Sequence, residues 1–140
     1  MMTEPVTTPR ALPALVACLV LSAPDATGNE LSGPWPSERG YFAVTIESRL
    51  DPVVINRMHA WEVTVNDPEG QSIDDAQLVF SGGMPEHDHG LPTSPQMTER
   101  LGGGCYLIEG IRFHMSGRWR LVLEIRANGQ QDTVVISTDL

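Results

Sequence analysis

The sequence predicts an all-β fold, an antiparallel sandwich of immunoglobulin-like type with about seven strands. Three observations carry that reading. Apolar and polar residues alternate through much of residues 41–138, the pattern of strands buried on one face. Turn residues interrupt the alternation at short, regular intervals. No segment carries a convincing helical spacing of apolar residues. At 140 residues the chain has one domain's length, and its 41% hydrophobic content suits a packed core.

The strands follow in order. "YFAVTIES" puts Phe42, Val44 and Ile46 on one face, and "HAWEVTVND" puts Trp61, Val63 and Val65 on one face with Glu62, Thr64 and Asn66 on the other. "DPEG" at 67–70 is turn chemistry. "AQLVFSG" is a short third strand and "QMTERL" a weak fourth, followed by a turn at Gly102–Gly104 and a fifth strand, "CYLIEGIRF". In "GRWRLVLEIRA" Trp119, Leu121, Leu123 and Ile125 point inward while Arg118, Arg120, Glu124 and Arg126 point outward. Asn128–Gly129 is a strong hairpin signal, and "DTVVIST" closes the set. Two sheets, each buried on one face, accommodate this alternation.

Ahead of the folded domain, expected at residues 41–140, two segments read differently. Residues 11–23, "ALPALVACLVLSA", carry no charge and are too short to span a bilayer as a helix. They suit a secretory signal over residues 1–23, with Ala23 at the cleavage site. A lipoprotein signal is the alternative: "LVAC" ends at Cys18, which is then acylated. Either places the domain outside the cytoplasm, in the periplasm or on the membrane's outer face, with no transmembrane helix in the mature chain. Residues 24–40, rich in Pro, Gly and Ser, read as a flexible arm or linker. Cys105 is the second cysteine of the pair in the chain. Its strand predicts a buried, inert thiol. A formal net charge of −9 argues against nucleic acid, whose phosphates need a basic surface.

Strand direction locates the four histidines. His59, next to Met58, opens the second strand at what can be called the upper end. The third strand climbs back to Gly82 and Gly83, so "MPEHDHG" lies at the upper end too. The fifth strand climbs to Phe113, leaving His114 and Met115 there as well. His59 is in phase with Trp61 and should face the core's mouth, and Met115 should do the same by its phase with Ile111 and Phe113. His87 and His89 can fold over that mouth as a lid that Gly82, Gly83 and Gly90 let move. Imidazoles suit copper and zinc, and thioethers shift preference towards Cu(I). Asp88 or Glu86 could add an oxygen to the oxidised ion. A structural zinc site more typically uses cysteines, which makes copper the first expectation and zinc the second.

"INRMHAWEVTV" and "GGMPEHDHGLPTSPQMTERLGGGCYLIEGIRFHMSGRWRLVLEI" resemble the YtkA-like family, which is related to FixH-like domains. The resemblance runs over residues 41–138, and its most specific parts are the M-P-x-H-x-H-G loop and the F-H-M-x-G-x-W segment. It implies an exported bacterial immunoglobulin-like domain associated with copper handling through His59, Met84, His87, His89, His114 and Met115. A copper-donating or copper-receiving protein is then the expected partner. The sequence departs from the membrane-anchored FixH pattern in having no full transmembrane helix. The competing expectation is a metal-free extracytoplasmic domain whose histidine-rich end docks a partner protein. No G-x-S-x-G, triad or paired carboxylates point to an enzyme.

Overall fold

A computed structural model describes residues 31–140; the signal segment, Cys18 and the first part of the arm lie outside the described residues. The expected sandwich is present as nine strands: β1 Trp35–Pro36, β2 Ala43–Ser48, β3 His59–Asn66, β4 Gln77–Met84, β5 His89–Gly90, β6 Gln96–Gly102, β7 Cys105–Ile111, β8 Arg118–Ala127 and β9 Gln130–Asp139. The seven longer strands are those the sequence predicts, and β1 and β5 are two-residue additions. One sheet has the order β1-β2-β3-β7-β6 and the other β5-β4-β8-β9. Setting aside β1 and β5, this is the four-plus-three arrangement of an immunoglobulin-type sandwich. Among the described residues, no helix is long and apolar enough to cross a membrane.

Alternation builds the core. Val44 and Ile46 on β2, Trp61, Val63 and Val65 on β3, and Tyr106 and Ile108 on β7 face Leu78 and Phe80 on β4, the inward residues of β8, and Val134 and Ile136 on β9. β8 lies between β4 and β9, with Leu123 opposite Phe80 on one side and Val134 on the other. Its four inward side chains are 0–3% exposed. The β8–β9 hairpin closes on Asn128 and Gly129, both at positive φ (53° and 72°), as a tight two-residue turn requires.

Buried polar groups at the lower end are paired. The Tyr106 hydroxyl donates to the Ile73 carbonyl and accepts from the Ala76 amide at 2.9 Å, so the β3–β4 connection is tied to β7. Asp132, 4% exposed on β9, accepts backbone hydrogen bonds from Arg39, Tyr41 and Thr133. Burial alone would raise its pKa. The Ser37 hydroxyl and the Thr133, Tyr41 and Arg39 amides outweigh that and hold the carboxyl below its ordinary value.

Two expectations change. Residues 31–40, read as part of a loose arm, pack on the sandwich: Leu31 is 2% exposed, β1 pairs with β2, and the Glu38 amide donates to the Thr133 carbonyl at 2.8 Å. The reason is that Leu31 and Trp35 supply apolar surface and Asp132 collects the arm's amides, neither of which a count of prolines and glycines reveals. Cys105 is a free thiol, as expected, but it is half-buried, because its strand position turns it away from Tyr106 and the core.

Leu123→Ala should cost about 2–5 kcal/mol, the range for large-to-small changes in a well-packed core, measured by denaturant unfolding.

Candidate metal centre

The M-P-E-H-D-H-G segment is a hairpin. β4 ends at Met84, the His87 amide donates to the Met84 carbonyl at 3.0 Å with Pro85 inside the turn, and Asp88 reverses the chain at φ 52°. Proline pre-sets the first turn residue, and aspartate tolerates the left-handed conformation. β5 then pairs back on β4, with His89 opposite Met84 and Gly90 opposite Gly83. Residues opposite each other in an antiparallel pair share a face, so the His89 imidazole lies on the same inward side as Met84. Met84 is 1% exposed, His89 is half-buried, and Glu86, His87 and Asp88 are exposed.

Gly82 and Gly83 in this hairpin allow close approach. A Cβ on Gly83 would sit 2.9 Å from the His89 carbonyl oxygen, and one on Gly82 would sit 2.9 Å from Leu121 Cδ2. The bare backbone lets β5 and the β8 side chains lie directly against β4.

His114 arrives from the connection between β7 and β8. Trp119, 0% exposed on β8, donates its indole N–H to the Met115 carbonyl at 3.0 Å and draws that connection over the end of the core. The His114 ring lies 4.7 Å from that of His89 and 5.7 Å from the Trp119 indole, centroid to centroid. His89 lies 6.3 Å from the same indole and 5.7 Å from His87. His87, His89 and His114 therefore neighbour one another at the upper end, two from the hairpin and one from the β7–β8 connection.

His59 sits apart from this group. Its ring contacts are Trp61 at 6.2 Å and Phe113 at 5.7 Å, and it is 9% exposed. Its burial agrees with the expectation that it faces the core, where Trp61 and Phe113 are its ring neighbours. The Arg57 carbonyl, 3.1 Å away, can only accept, so His59 Nδ1 carries the proton and Nε2 keeps its lone pair, buried with no protein partner. Met115 also departs from expectation: its side chain is 37% exposed, and its carbonyl is what holds Trp119. Period-two phase does not extend to it, because β7 stops at Ile111 after Gly110 takes φ 84°. Met58 is 58% exposed.

Imidazoles from two connections, with a thioether across the strand from one of them, make a donor set suited to copper. The His87 and His89 rings are stacked, with 18° between their planes, and the His89 and His114 rings are tilted by 45°. The His114 Nδ1 is buried with no protein partner. The nitrogens are not converged on one point: among the described residues no three His, Cys, Asp or Glu side chains stand ready to hold an ion. Closing a coordination sphere takes side-chain rotation, which the exposure of His87 permits. Trp119 is the neighbour that sequence reasoning placed only in the core. The signal for it was present in the spacing of His114 and Trp119 within F-H-M-x-G-x-W.

Comparison with known proteins adds the following. A family model described as YtkA-like matches residues 41–124. No curated protein matches the chain. Among solved structures, a DUF4426 family protein from Pseudomonas aeruginosa PAO1 superposes with a TM-score of 0.54 at 13% identity, covering 76% of this chain and 94% of that one. It shares the fold. The ZirS C-terminal domain aligns with a TM-score of 0.43 at 10% identity, over 99% of this chain and 88% of that one.

Two outcomes follow from this geometry. Gly83→Ala should destabilise the protein by about 1–3 kcal/mol, because the neighbour that must yield is backbone, whereas Gly90→Ala, 3.4 Å from the Gly82 carbonyl oxygen, should cost less; denaturant melts compare them. Burial lowers the pKa of His59, against the opposing hydrogen bond to Arg57. The contribution of its neutral ring to stability is complete above the unfolded value of 6.5 and is lost as pH falls towards the depressed folded value. Stability should therefore fall on acidification from 6.5 down to that depressed value, by no more than about 1.4 kcal/mol per pH unit from this group, and His59→Phe should remove that component.

Proposed function

The chain belongs to the YtkA-like family, and from that premise we propose that it is an extracytoplasmic copper-binding domain that carries, buffers or delivers the ion through the histidine-rich end of its sandwich. The observation that carries this reading is the meeting of imidazoles from two separate connections, His89 and His114, with rings 4.7 Å apart beside one buried indole. His87, His89 and His114 are the proposed nitrogen donors, and Met84, opposite His89 on β4, is the proposed thioether donor. His59 supports the floor of the site through Phe113, and Met115 contributes its carbonyl to Trp119. The net charge of −9 favours attraction of cations in general.

The test is titration of the full-length protein with Cu(I) and Cu(II) against competing chelators, with zinc as control. The combined His87→Ala and His89→Ala variant should lose most of the affinity while remaining folded. Binding should also weaken on acidification, because a protonated imidazole has no lone pair to give. A folded double variant that binds copper as tightly as the parent would overturn the assignment. A parent that binds no copper would favour a metal-free docking domain.

A further inference from the structure

We propose that the outer face of the β4–β5 hairpin is a binding site for a small zwitterion of the α-amino acid class, held by its carboxylate on Arg120. This site stands independently of the copper reading. Leu78, Phe80 and Met84 are the buried, inward residues of β4, so Gly83 belongs to the outer face. Antiparallel pairing carries that row across the sheet: Gly90 on β5 is opposite Gly83, Gly83 is opposite Arg120 on β8, and Arg120 is opposite Ser137 on β9. Two adjacent residues without side chains leave a depression beside a long guanidinium arm. An open cavity of about 400 Å³ lies there, lined by Gly83, Gly90, Arg120 and Val122 from the strands and by Pro85 and Asp88 from the turn. Packing does not demand a glycine at both positions. Gly83 is pressed against the His89 carbonyl, whereas a Cβ on Gly90 would meet only the Gly82 carbonyl oxygen, at 3.4 Å. The missing side chain of Gly90 is what keeps the cavity open.

The charges around the cavity select the ligand. Among the described residues, Arg49 pairs with Glu62 and Arg118 with Asp139, and Arg126 donates to Gln131, while no carboxylate pairs with Arg120. Its cross-strand neighbours, Gly83 and Ser137, carry no counter-charge. Asp88 lines the same cavity and forms no ion pair with it. Opposite charges that line one cavity without meeting are complementary to a ligand that carries both. A guanidinium takes a carboxylate through two parallel N–H···O bonds, and an ammonium group answers the aspartate. A simple anion is disfavoured twice, by Asp88 and by the net charge of −9, whereas a zwitterion brings no net charge. The bare glycine backbone, Pro85 and Val122 give the apolar part of the lining, which suits a small apolar side chain.

The experiment titrates the full-length protein, without added metal, with L-alanine, and separately with propionate, which keeps the carboxylate and lacks the ammonium. Nitrogen–proton correlation spectra follow the backbone amides and the arginine Nε–H groups. L-Alanine should shift the Gly83 and Gly90 amides and the Arg120 Nε–H along one saturable curve, and propionate should bind more weakly. Arg120→Gln, with folding checked by circular dichroism, should weaken L-alanine by at least about tenfold, the worth of a hydrogen bond to a charged group. Asp88→Asn should weaken L-alanine and bring propionate closer to it. A folded Arg120→Gln protein with parental affinity would overturn the proposal. So would shifts in the parent that never saturate, or that appear equally at Arg100 and Arg126, and these stand even if the glutamine variant does not fold. Propionate binding as tightly as L-alanine would overturn the zwitterion assignment. None of these readouts involves copper, so the copper reading stands or falls separately.

Discussion

Burying an indole N–H is costly without an acceptor, and the upper end of this sandwich is arranged around how Trp119 finds one. Leaving that donor unpaired would cost about 1–3 kcal/mol. The nearest solution is the Met115 carbonyl, four residues back in the chain, which requires residues 112–117 to fold over the start of β8. Gly117 is then held in both directions by Leu140, at 2.7 and 3.0 Å, and the Phe113 carbonyl receives the Asn56 amide at 2.7 Å. Once this connection is fixed, His114 has little choice of neighbour. The β4–β5 hairpin, brought close by Gly82 and Gly83, supplies His89.

The two ends of the molecule treat polar groups differently. At the lower end Tyr106, Asp74 and Asp67 satisfy backbone groups of the connections, and at the β1–β9 margin Asp132 and Ser37 do the same. At the upper end, among the described residues, buried nitrogens of His59, Trp61, Arg112 and His114 have no protein partner. Polar groups in a protein interior are nearly always paired, so a concentration of exceptions at one end separates the part built for stability from the part proposed to act.

Most of the sandwich was legible in the sequence because period-two alternation is a direct image of one-sided burial. Trp61, Val63 and Val65, and Trp119, Leu121, Leu123 and Ile125, fell on the inward faces as read. Strand direction also placed the histidines at one end. The method failed where a residue lies beyond a strand. Met115 inherits no phase from Phe113, because β7 ends at Ile111. The packed part of the arm was hidden for another reason: a carboxylate more than ninety residues away gathers its amides, and local composition carries no trace of so distant a partner. Glycines 82 and 83 were noticed, but composition does not separate a hinge from a close contact.

The tethered arm has a consequence for how the molecule behaves among copies of itself. β1 belongs to one sheet by pairing with β2, while Glu38 and Asp132 attach the same short segment to β9 of the other. β9 is a ten-residue strand at the margin of its sheet. An uncovered margin of that length presents unpaired amides and carbonyls as a template for any extended chain that meets it. Residues 37–41 cap part of that template from within. Colloidal behaviour, meaning whether the domain stays dispersed at high concentration or begins to add strands edge to edge, is thereby coupled to one ionised carboxylate on β9.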